Sequence, residues 1–393
     1  MEYSRIDSLD ATVSLLGFGG MRLPLRSEDI GDVDVDAVCG MVDMALSGGV
    51  NYFDTAYGYH KGESETALRK ALVERHDRNT YYLVDKLAAF LCNTPEDQQK
   101  MFETQLQRCG VSYFDFYHVH AITDERYRQC MSLGSFDFVR RLKDAGKAKC
   151  IGFSFHSTPE LLEQVLDDHP YVEFVQLQIN YLDWRAQRAQ EYHRIAHERN
   201  LPILVMEPVK GGSLANLAPA AAALDPRLAK PEGQAAFALK FAASRPGVVC
   251  VLSGMTTPEQ VESNIKTFSD PGICAFDESD EKLLVRVLDE TRKISQVPCT
   301  ACEYCEGVCP KHIDIPKIFS IYNEYKRSGT TFHAHYLYSC ILEDRRADAC
   351  IACRACVEKC PQGIDIPNEL KRIHPELPVM SLVPDAPASQ GSE

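Results

Sequence analysis

No apolar run in these 393 residues is long enough to cross a bilayer, so no membrane-spanning helix is expected. The N-terminus lacks a basic segment followed by an apolar one, which argues against a secretory signal and for a cytoplasmic location. Positive charge is scarce too: 42 lysines and arginines stand against 56 aspartates and glutamates, a formal net charge of −14. That balance argues against nucleic acid, whose phosphates demand basic patches. It suits solubility and a basic redox partner. The rest of the composition is that of an ordinary globular protein, and the length is long for one core, so two domains are expected.

Cysteine, by contrast, is abundant and patterned. Cys299, Cys302, Cys305 and Cys309 stand at C-x2-C-x2-C-x3-C, with Pro310 next, and Cys350, Cys353, Cys356 and Cys360 repeat the spacing, with Pro361 next. Such a run supplies thiolates for a 4Fe–4S cluster, and two copies imply two clusters. Three closely spaced thiolates on one loop can cap three corners of a cubane, while the fourth must arrive from another direction. In two-cluster ferredoxins it comes from the other motif. Cys299, Cys302, Cys305 and Cys360 are therefore expected on one cluster, and Cys350, Cys353, Cys356 and Cys309 on the other. Zinc is a rival, but its sites usually read as two separated pairs. Disulfides need an oxidising compartment. The other cysteines (Cys39, Cys92, Cys109, Cys130, Cys150, Cys250, Cys274 and Cys340) are scattered and read as buried thiols in a reducing cytoplasm.

Residues 1 to about 290 alternate short apolar runs with amphipathic stretches. The runs predict strands at Leu15–Gly19, Tyr52–Asp54, Tyr81–Lys86, Phe114–His120, Ala148–Ser154, Phe174–Ile179, Ile203–Glu207 and Val248–Ser253. Helices are predicted at Val35–Ser47, Ser64–Arg75, Pro95–Cys109, Phe136–Ala145, Pro159–Leu166, Arg185–Arg199, Gly233–Ser244 and Pro258–Phe268. Eight strands, each followed by a helix, imply an α/β fold, a (β/α)8 TIM barrel with its chemistry on the loops after the strands. Ser213–Pro231 reads as a long loop. Beyond residue 290 the pattern changes to a small, mostly helical ferredoxin-like domain over 291–374, with helices at Ile315–Arg327 and from Thr331 to about Asp344. There the clusters are expected to replace much of the core. Residues 375–393 read as a disordered tail.

Four residues collect at predicted strand ends. Asp54 closes the second strand, Tyr59 follows on its loop, Lys86 closes the third and His120 the fourth. An ammonium beside a tyrosine favours the phenolate and can bring its pKa down from about 10. Asp54 would orient Lys86, and a tyrosine so tuned can protonate a carbonyl oxygen as hydride arrives, with His120 donating to the same oxygen.

These residues carry a resemblance. Gly49-Val50-Asn51-Tyr52-Phe53-Asp54-Thr55-Ala56-Tyr57-Gly58 resembles the signature after strand two of the aldo/keto reductase superfamily. Phe114-Asp115-Phe116-Tyr117-His118-Val119-His120 resembles its strand four. Cys150-Ile151-Gly152-Phe153-Ser154 and Val175-Gln176-Leu177-Gln178 resemble strands five and six. The resemblance spans residues 10 to 270, and the whole chain is similar to a subgroup with a C-terminal ferredoxin-like domain. It implies a TIM barrel using NAD(H) or NADP(H), with Tyr59 as general acid/base among Asp54, Lys86 and His120. It also places Gly20, Met21 and Arg22 near the nicotinamide, with Gln176 on its carboxamide. The family's Ser-Asn after strand five is here Ser154 followed by Phe155 and His156. Glu207 stands where many members stack a tyrosine on the ring. Lys210 and Gly212 could hold the pyrophosphate, since glycine permits close backbone approach. Ser253, Gly254, Met255, Gln260 and Asn264 occupy the segment where members preferring NADP place basic residues; none lies before Lys266, which tilts the expectation toward NAD, or toward a phosphate held from elsewhere.

Other features read plainly. His118, two residues before His120 on the same face, is expected to be a buried, hydrogen-bonded histidine. His193 and His197 suit a solvated helix face, and Gly17, Gly19 and Gly20 are a weak match to a dinucleotide loop. The expected function is hydride transfer between a nicotinamide nucleotide and a carbonyl or alcohol, with clusters passing single electrons to a ferredoxin or flavoprotein carrier, or serving structure. Hydride moves two electrons and a cluster one, so direct coupling needs an intermediary such as a flavin, and no flavin signature is present. The alternative is an electron-transfer or assembly subunit whose barrel is a docking scaffold.

Overall fold

The structure, a computed structural model, describes residues 1–6, 10–293, 296–299, 304–328 and 331–380. Two compact units emerge. One comprises Met1–Pro208 and Leu239–Phe276; the other comprises Val209–Ala238 and the described residues from Asp277 onward.

The first unit is built on ten strands. A hairpin pairs β1 (Tyr3–Ile6) with β2 (Ala11–Ser14). The remaining eight close a parallel barrel: β3 (Leu16–Gly19), β4 (Tyr52–Asp54), β5 (Tyr82–Leu87), β6 (Phe114–Ile122), β7 (Ala148–Phe155), β8 (Phe174–Gln178), β9 (Ile203–Met206) and β10 (Val248–Gly254), with β10 returning to pair with β3. The TIM barrel expected from the strand–helix alternation is therefore present. Its interior is filled by inward-facing residues of successive strands, among them Tyr52, Val84, Phe116, Cys150, Phe174, Leu204 and Cys250. Each such large apolar side chain contributes roughly 1.5–3 kcal/mol by leaving water. Ile6 and Val13 of the hairpin join this cluster. Two glycines are required by that packing. A Cβ on Gly17 would lie 2.7 Å from Leu252 and 2.8 Å from the Cys250 sulfur, and one on Gly152 would lie 2.3 Å from the Phe174 carbonyl oxygen.

Helix boundaries follow local chemistry. Thr94 caps Pro95–Cys109 in a reciprocal capping box with Asp97, and Gly110 ends that helix at φ 69°. Thr158 and Thr257 cap Pro159–Asp168 and Pro258–Phe268, each with proline at the first turn. The helix expected over Ser64–Arg75 runs as Glu63–Leu68 and continues as a π turn, Arg69–Val73. Asp124–Leu133, Glu278–Lys293 and Ile366–Ile373 were not anticipated from the sequence, nor were the short helices Pro219–Ala222 and Ala355–Lys359.

The second unit is mostly helical, with Glu278–Lys293, Ile315–Ser328, Thr331–Ser339 and Ile366–Ile373 as its main helices. It has a hydrophobic core of its own, including Val297, Ile318, Phe319, Tyr322, Tyr338, Ile341 and Leu370. Clusters are therefore not the sole filling of this unit. The tail expected from residue 375 is ordered at its start: Leu377 is fully buried in that core and Glu376 accepts from the Tyr322 hydroxyl at 2.9 Å. Residues 381–393 lie outside the described residues. No described helix is long and apolar enough to cross a membrane.

Candidate active site

Side-chain alternation sends every second residue of a strand inward. Asp54 ends β4, Lys86 lies one residue before the end of β5, and His120 follows His118 on the inner face of β6. Lys86 Nζ donates to Asp54 Oδ1 at 2.6 Å and to the Thr55 carbonyl at 2.6 Å. The pair is shut from water, with side chains 1% and 4% exposed. Nζ also lies 4.7 Å from the centroid of the Tyr59 ring. The Tyr59 and His120 rings meet edge to face, 6.0 Å between centroids, and Phe90 packs against His120 at 5.8 Å. The four residues collected from strand ends thus come together at one mouth of the barrel.

The electrostatics correct one expectation. Lys86 was expected to bring the Tyr59 phenol down, yet burial pushes it well above its ordinary value, and the charges of Asp54, Glu207 and Asp85 push the same way. Arg22 opposes them. The physical reason is desolvation: the cost of a buried phenolate outweighs the help of the ammonium, whose hydrogen bonds go to Asp54 and the Thr55 carbonyl. Tyr59 is a proton donor at rest. Burial likewise raises Asp54, against the pull of Lys86. His120 is held well below its usual value, by burial first and then by Lys86, so its imidazole is neutral.

His118 is buried, as expected, and the Gln176 side chain reaches its ring, although neither ring nitrogen makes a hydrogen bond of good geometry among the described residues. Its ring stands edge-on to Phe174 at 5.5 Å, and burial and Lys86 hold it neutral.

Behind β5 the outer face is clamped. Asp85 Oδ1 accepts from the Lys86 amide at 2.8 Å and from Gln105 Nε2 at 2.7 Å, and Gln105 Nε2 also reaches the Lys86 carbonyl at 2.9 Å. Asp85 is buried and pushed well above the usual carboxylate range, by burial first and then by the neighbouring Glu65 charge. Glu65 pairs with Arg108 at 2.8 Å. Burial favours the protonated form of both carboxyls, against the pull of Arg108 on Glu65 and of Lys86 on Asp85.

On the nucleotide side of the expectation, Gly20, Met21 and Arg22 form a 3-10 turn after β3. Arg22 Nη2 donates to Glu207 Oε1 at 3.3 Å, and the Glu207 carbonyl accepts from Asn180 Nδ2 at 3.1 Å. Ser154 has a role not anticipated: its hydroxyl oxygen accepts the Ala121 amide at 2.7 Å. Ala121 sits at φ 56°, inside a register break between Val119 and Ile122. Ser154 therefore pins the bulge that directly follows His120. Gln176 is buried, and its Oε1 has no hydrogen-bond partner among the described residues. After β10, Asn264 donates to Ser253 at 3.0 Å, Gln260 accepts the Thr256 amide at 2.7 Å, Met255 is buried, and Gly254 lies under the Arg22 side chain. Lys210 and Gly212 belong to the second unit, where Lys210 Nζ is buried 3.4 Å from Glu324.

Also in the second unit, Cys309, Cys350, Cys353 and Cys356 line a single cavity. The thiols of Cys350, Cys309 and Cys353 all act on Cys356. Cys299 of the first block and Cys356 of the second both act on Cys305, while Cys302 lies outside the described residues. Cys299, Cys309, Cys350 and Cys360 pack against the unit's core.

Residues 15–278 match the aldo/keto reductase family, and residues 298–364 match a 4Fe-4S dicluster domain. The chain belongs to the aldo/keto reductase family. It also carries a 4Fe-4S dicluster domain. A probable aldo-keto reductase 1 from Glycine max is 26% identical over 214 residues, covering 51% of this chain and 57% of that protein. An aldo-keto reductase from Mycobacterium sp. (strain KMS) is 31% identical over 129 residues, covering 32% of this chain and 43% of that one. The chain thus spans about half the length of these two relatives. L-galactose dehydrogenase from Arabidopsis thaliana is 22% identical over 315 residues, covering 75% of this chain and 97% of that protein. Among solved structures, the holo form of aldo-keto reductase AKR11C1 from Bacillus halodurans superposes with a TM-score of 0.59 at 21% identity, covering 73% of this chain and 96% of that one. That likeness speaks for the fold.

Proposed function

We propose that the protein carries out reversible hydride transfer between a nicotinamide nucleotide and a carbonyl or alcohol substrate. The observation that carries this reading is the buried Asp54–Lys86 pair set against the face of Tyr59, with a neutral His120 beside the phenol. The nucleotide, when bound, supplies or takes up the hydride. Tyr59, held protonated, gives its phenolic proton to the carbonyl oxygen as the carbon receives the hydride, which leaves an alcohol. His120, neutral, donates a hydrogen bond to the same oxygen and orients it. Lys86 stabilises the phenolate left behind, and Asp54 balances Lys86 in the resting state.

The barrel residues suit a carboxamide. Gln176 Oε1 is a buried acceptor without a partner among the described residues, and the Ser154 hydroxyl accepts from Ala121 while keeping its own proton to donate. Together they offer one acceptor and one donor, the complement of an amide. In this reading Gly20, Met21, Arg22 and Glu207 flank the ring, and Ser253, Gly254, Met255, Gln260 and Asn264 supply the adenosine end.

The clustered thiols support two 4Fe–4S clusters with crossed ligation. Cys309 of the first block groups with Cys350, Cys353 and Cys356 of the second. Cys299, Cys302, Cys305 and Cys360 would hold the other cluster. Such clusters pass one electron each, to or from an external carrier.

Tyr59→Phe tests the hydride reading. Carbonyl reduction with NAD(P)H is expected to collapse in a folded variant whose affinity for the nucleotide, measured by fluorescence titration, is unchanged. Full turnover by Tyr59→Phe would end it.

A further inference from the structure

The residue after the proposed acid is His60, and nothing in the mechanism uses it. Its backbone is in the left-handed region, φ 54° and ψ 41°, as is that of Lys61, φ 57° and ψ 27°, before Gly62 at φ 92°. Two consecutive non-glycine residues there cost roughly 1–2 kcal/mol each. Such a turn persists only where its surroundings hold it.

The holding contacts run to a different loop. His60 Nε2 receives the Leu23 amide N–H at 3.1 Å, and His60 Nδ1 meets the Ile30 carbonyl at 2.7 Å. An amide can only donate and a carbonyl can only accept, so the ring is neutral, with its proton on Nδ1. The ring is 8% exposed. Burial favours that neutral form, against the pull of the Ile30 and Met21 backbone groups, and the Arg22 charge adds to burial. Ser64 Oγ adds a second tie by donating to the Gly20 carbonyl at 2.8 Å. Lys61 reaches Asp29 at 3.1 Å, but that pair is exposed and contributes little.

The segment so tied, Gly20 to Ile30, begins with the turn that carries Arg22. It then folds back on itself through the Leu25–Val33 bridge and the Asp34-to-Pro24 amide bond. The imidazole therefore spans two loops of the mouth that are 30 residues or more apart in sequence.

We propose that His60 is the positioning residue for Tyr59, its neutral imidazole locking the strained Tyr59 turn to the Gly20–Ile30 loop so that the phenol is fixed relative to the nicotinamide side of the mouth. This rests on the reading of Tyr59 as the acid. Rigid placement matters because a shift of about 1 Å in a reacting group can cost on the order of a hundredfold in rate.

The test is a double-mutant cycle on the full-length holoprotein. His60→Leu removes both ring bonds at similar volume, and His60→Gln keeps one donor and one acceptor. His60→Leu is expected to lower kcat for carbonyl reduction by roughly ten- to a hundredfold, with KM for the carbonyl moving far less. His60→Gln is expected to recover most of the loss. In the Tyr59→Phe background, His60→Leu should lower the residual turnover no further, because a residue acting through Tyr59 has nothing left to position. If His60→Leu does not fold, His60→Phe, which also lacks both ring bonds, is read in the same way. An equal loss in both backgrounds would overturn the proposal, since that is what a general structural role produces. An unchanged kcat in His60→Leu, with Tyr59→Phe inactive, would overturn it while leaving the hydride reading intact. An active Tyr59→Phe would overturn both.

Discussion

Lys86 turns its ammonium toward the face of the Tyr59 ring, 4.7 Å from the centroid, while its hydrogen bonds go to Asp54 and the Thr55 carbonyl. The lysine is thus held from one side and presented to the phenol on the other. Lys86 stands 32 residues from Asp54 in sequence, yet these two and Tyr59 act as one electrostatic unit, neutral overall when the phenol is protonated.

Breaking that unit at one member exposes its cost. Lys86→Met leaves the Asp54 carboxylate buried without its counter-ion, which should destabilise the fold by roughly 3–5 kcal/mol. The urea denaturation midpoint reads it. Lys86→Met combined with Asp54→Asn removes both charges and should recover part of the loss. If the double variant is as unstable as the sum of the singles, the pair is not a coupled unit.

The phenol sets the pH dependence. Burial and the Asp54 and Glu207 charges favour its protonated form, so Tyr59 remains a donor through neutral pH. Carbonyl reduction should stay flat there and decline only above about pH 10, where an unperturbed tyrosine already titrates. Alcohol oxidation, which needs the phenolate as base, should rise over that same alkaline range. Glu207→Gln removes one of the charges that raise the phenol and leaves the opposing Arg22 in place. The alkaline limb should then move to lower pH. A limb that moves upward or not at all would show that Glu207 does not act on Tyr59.

Much of this architecture is written in short-range patterns. β4 and the helices Val35–Ser47, Pro95–Cys109 and Pro258–Phe268 match the bounds read from the sequence, because apolar alternation and Thr-Pro starts are local signals. The four tetrad residues were legible because each ends a strand or follows one. The hairpin of β1 and β2 was missed: each strand has four residues, and Tyr3, Arg5 and Thr12 face water. Asp124–Leu133 was missed because only Tyr127 and Cys130 are buried, too few to show a helical stripe, although Thr123 and Gly134 cap it. What no local pattern carries is a contact across loops. The clasp of His60 on Leu23 and Ile30, the Ser154 hold on Ala121 and the Asp85–Glu65 pair behind Lys86 each join segments that only the closed barrel brings together. Lys210 shows the converse. Its neighbouring glycines suggested a phosphate loop, while its ammonium is buried beside Glu324 on a helix more than 100 residues away.

The cysteines allow a sharper test than metal content alone. Cys309 stands in the first block, yet its thiol lines a cavity with Cys350, Cys353 and Cys356 of the second. If ligation is crossed, Cys309→Ser and Cys353→Ser damage the same cluster, and Cys360→Ser damages the other. Iron and acid-labile sulfide in protein purified without oxygen should then fall by about half in each variant. The reduced electron paramagnetic resonance spectrum should lose the same component in Cys309→Ser and Cys353→Ser, and a different one in Cys360→Ser. Ligation confined to each block predicts the opposite pairing, with Cys360→Ser matching Cys353→Ser. The spectra therefore decide between the two arrangements even if both leave the same amount of iron, because the signal that disappears depends on which sulfurs share a cage.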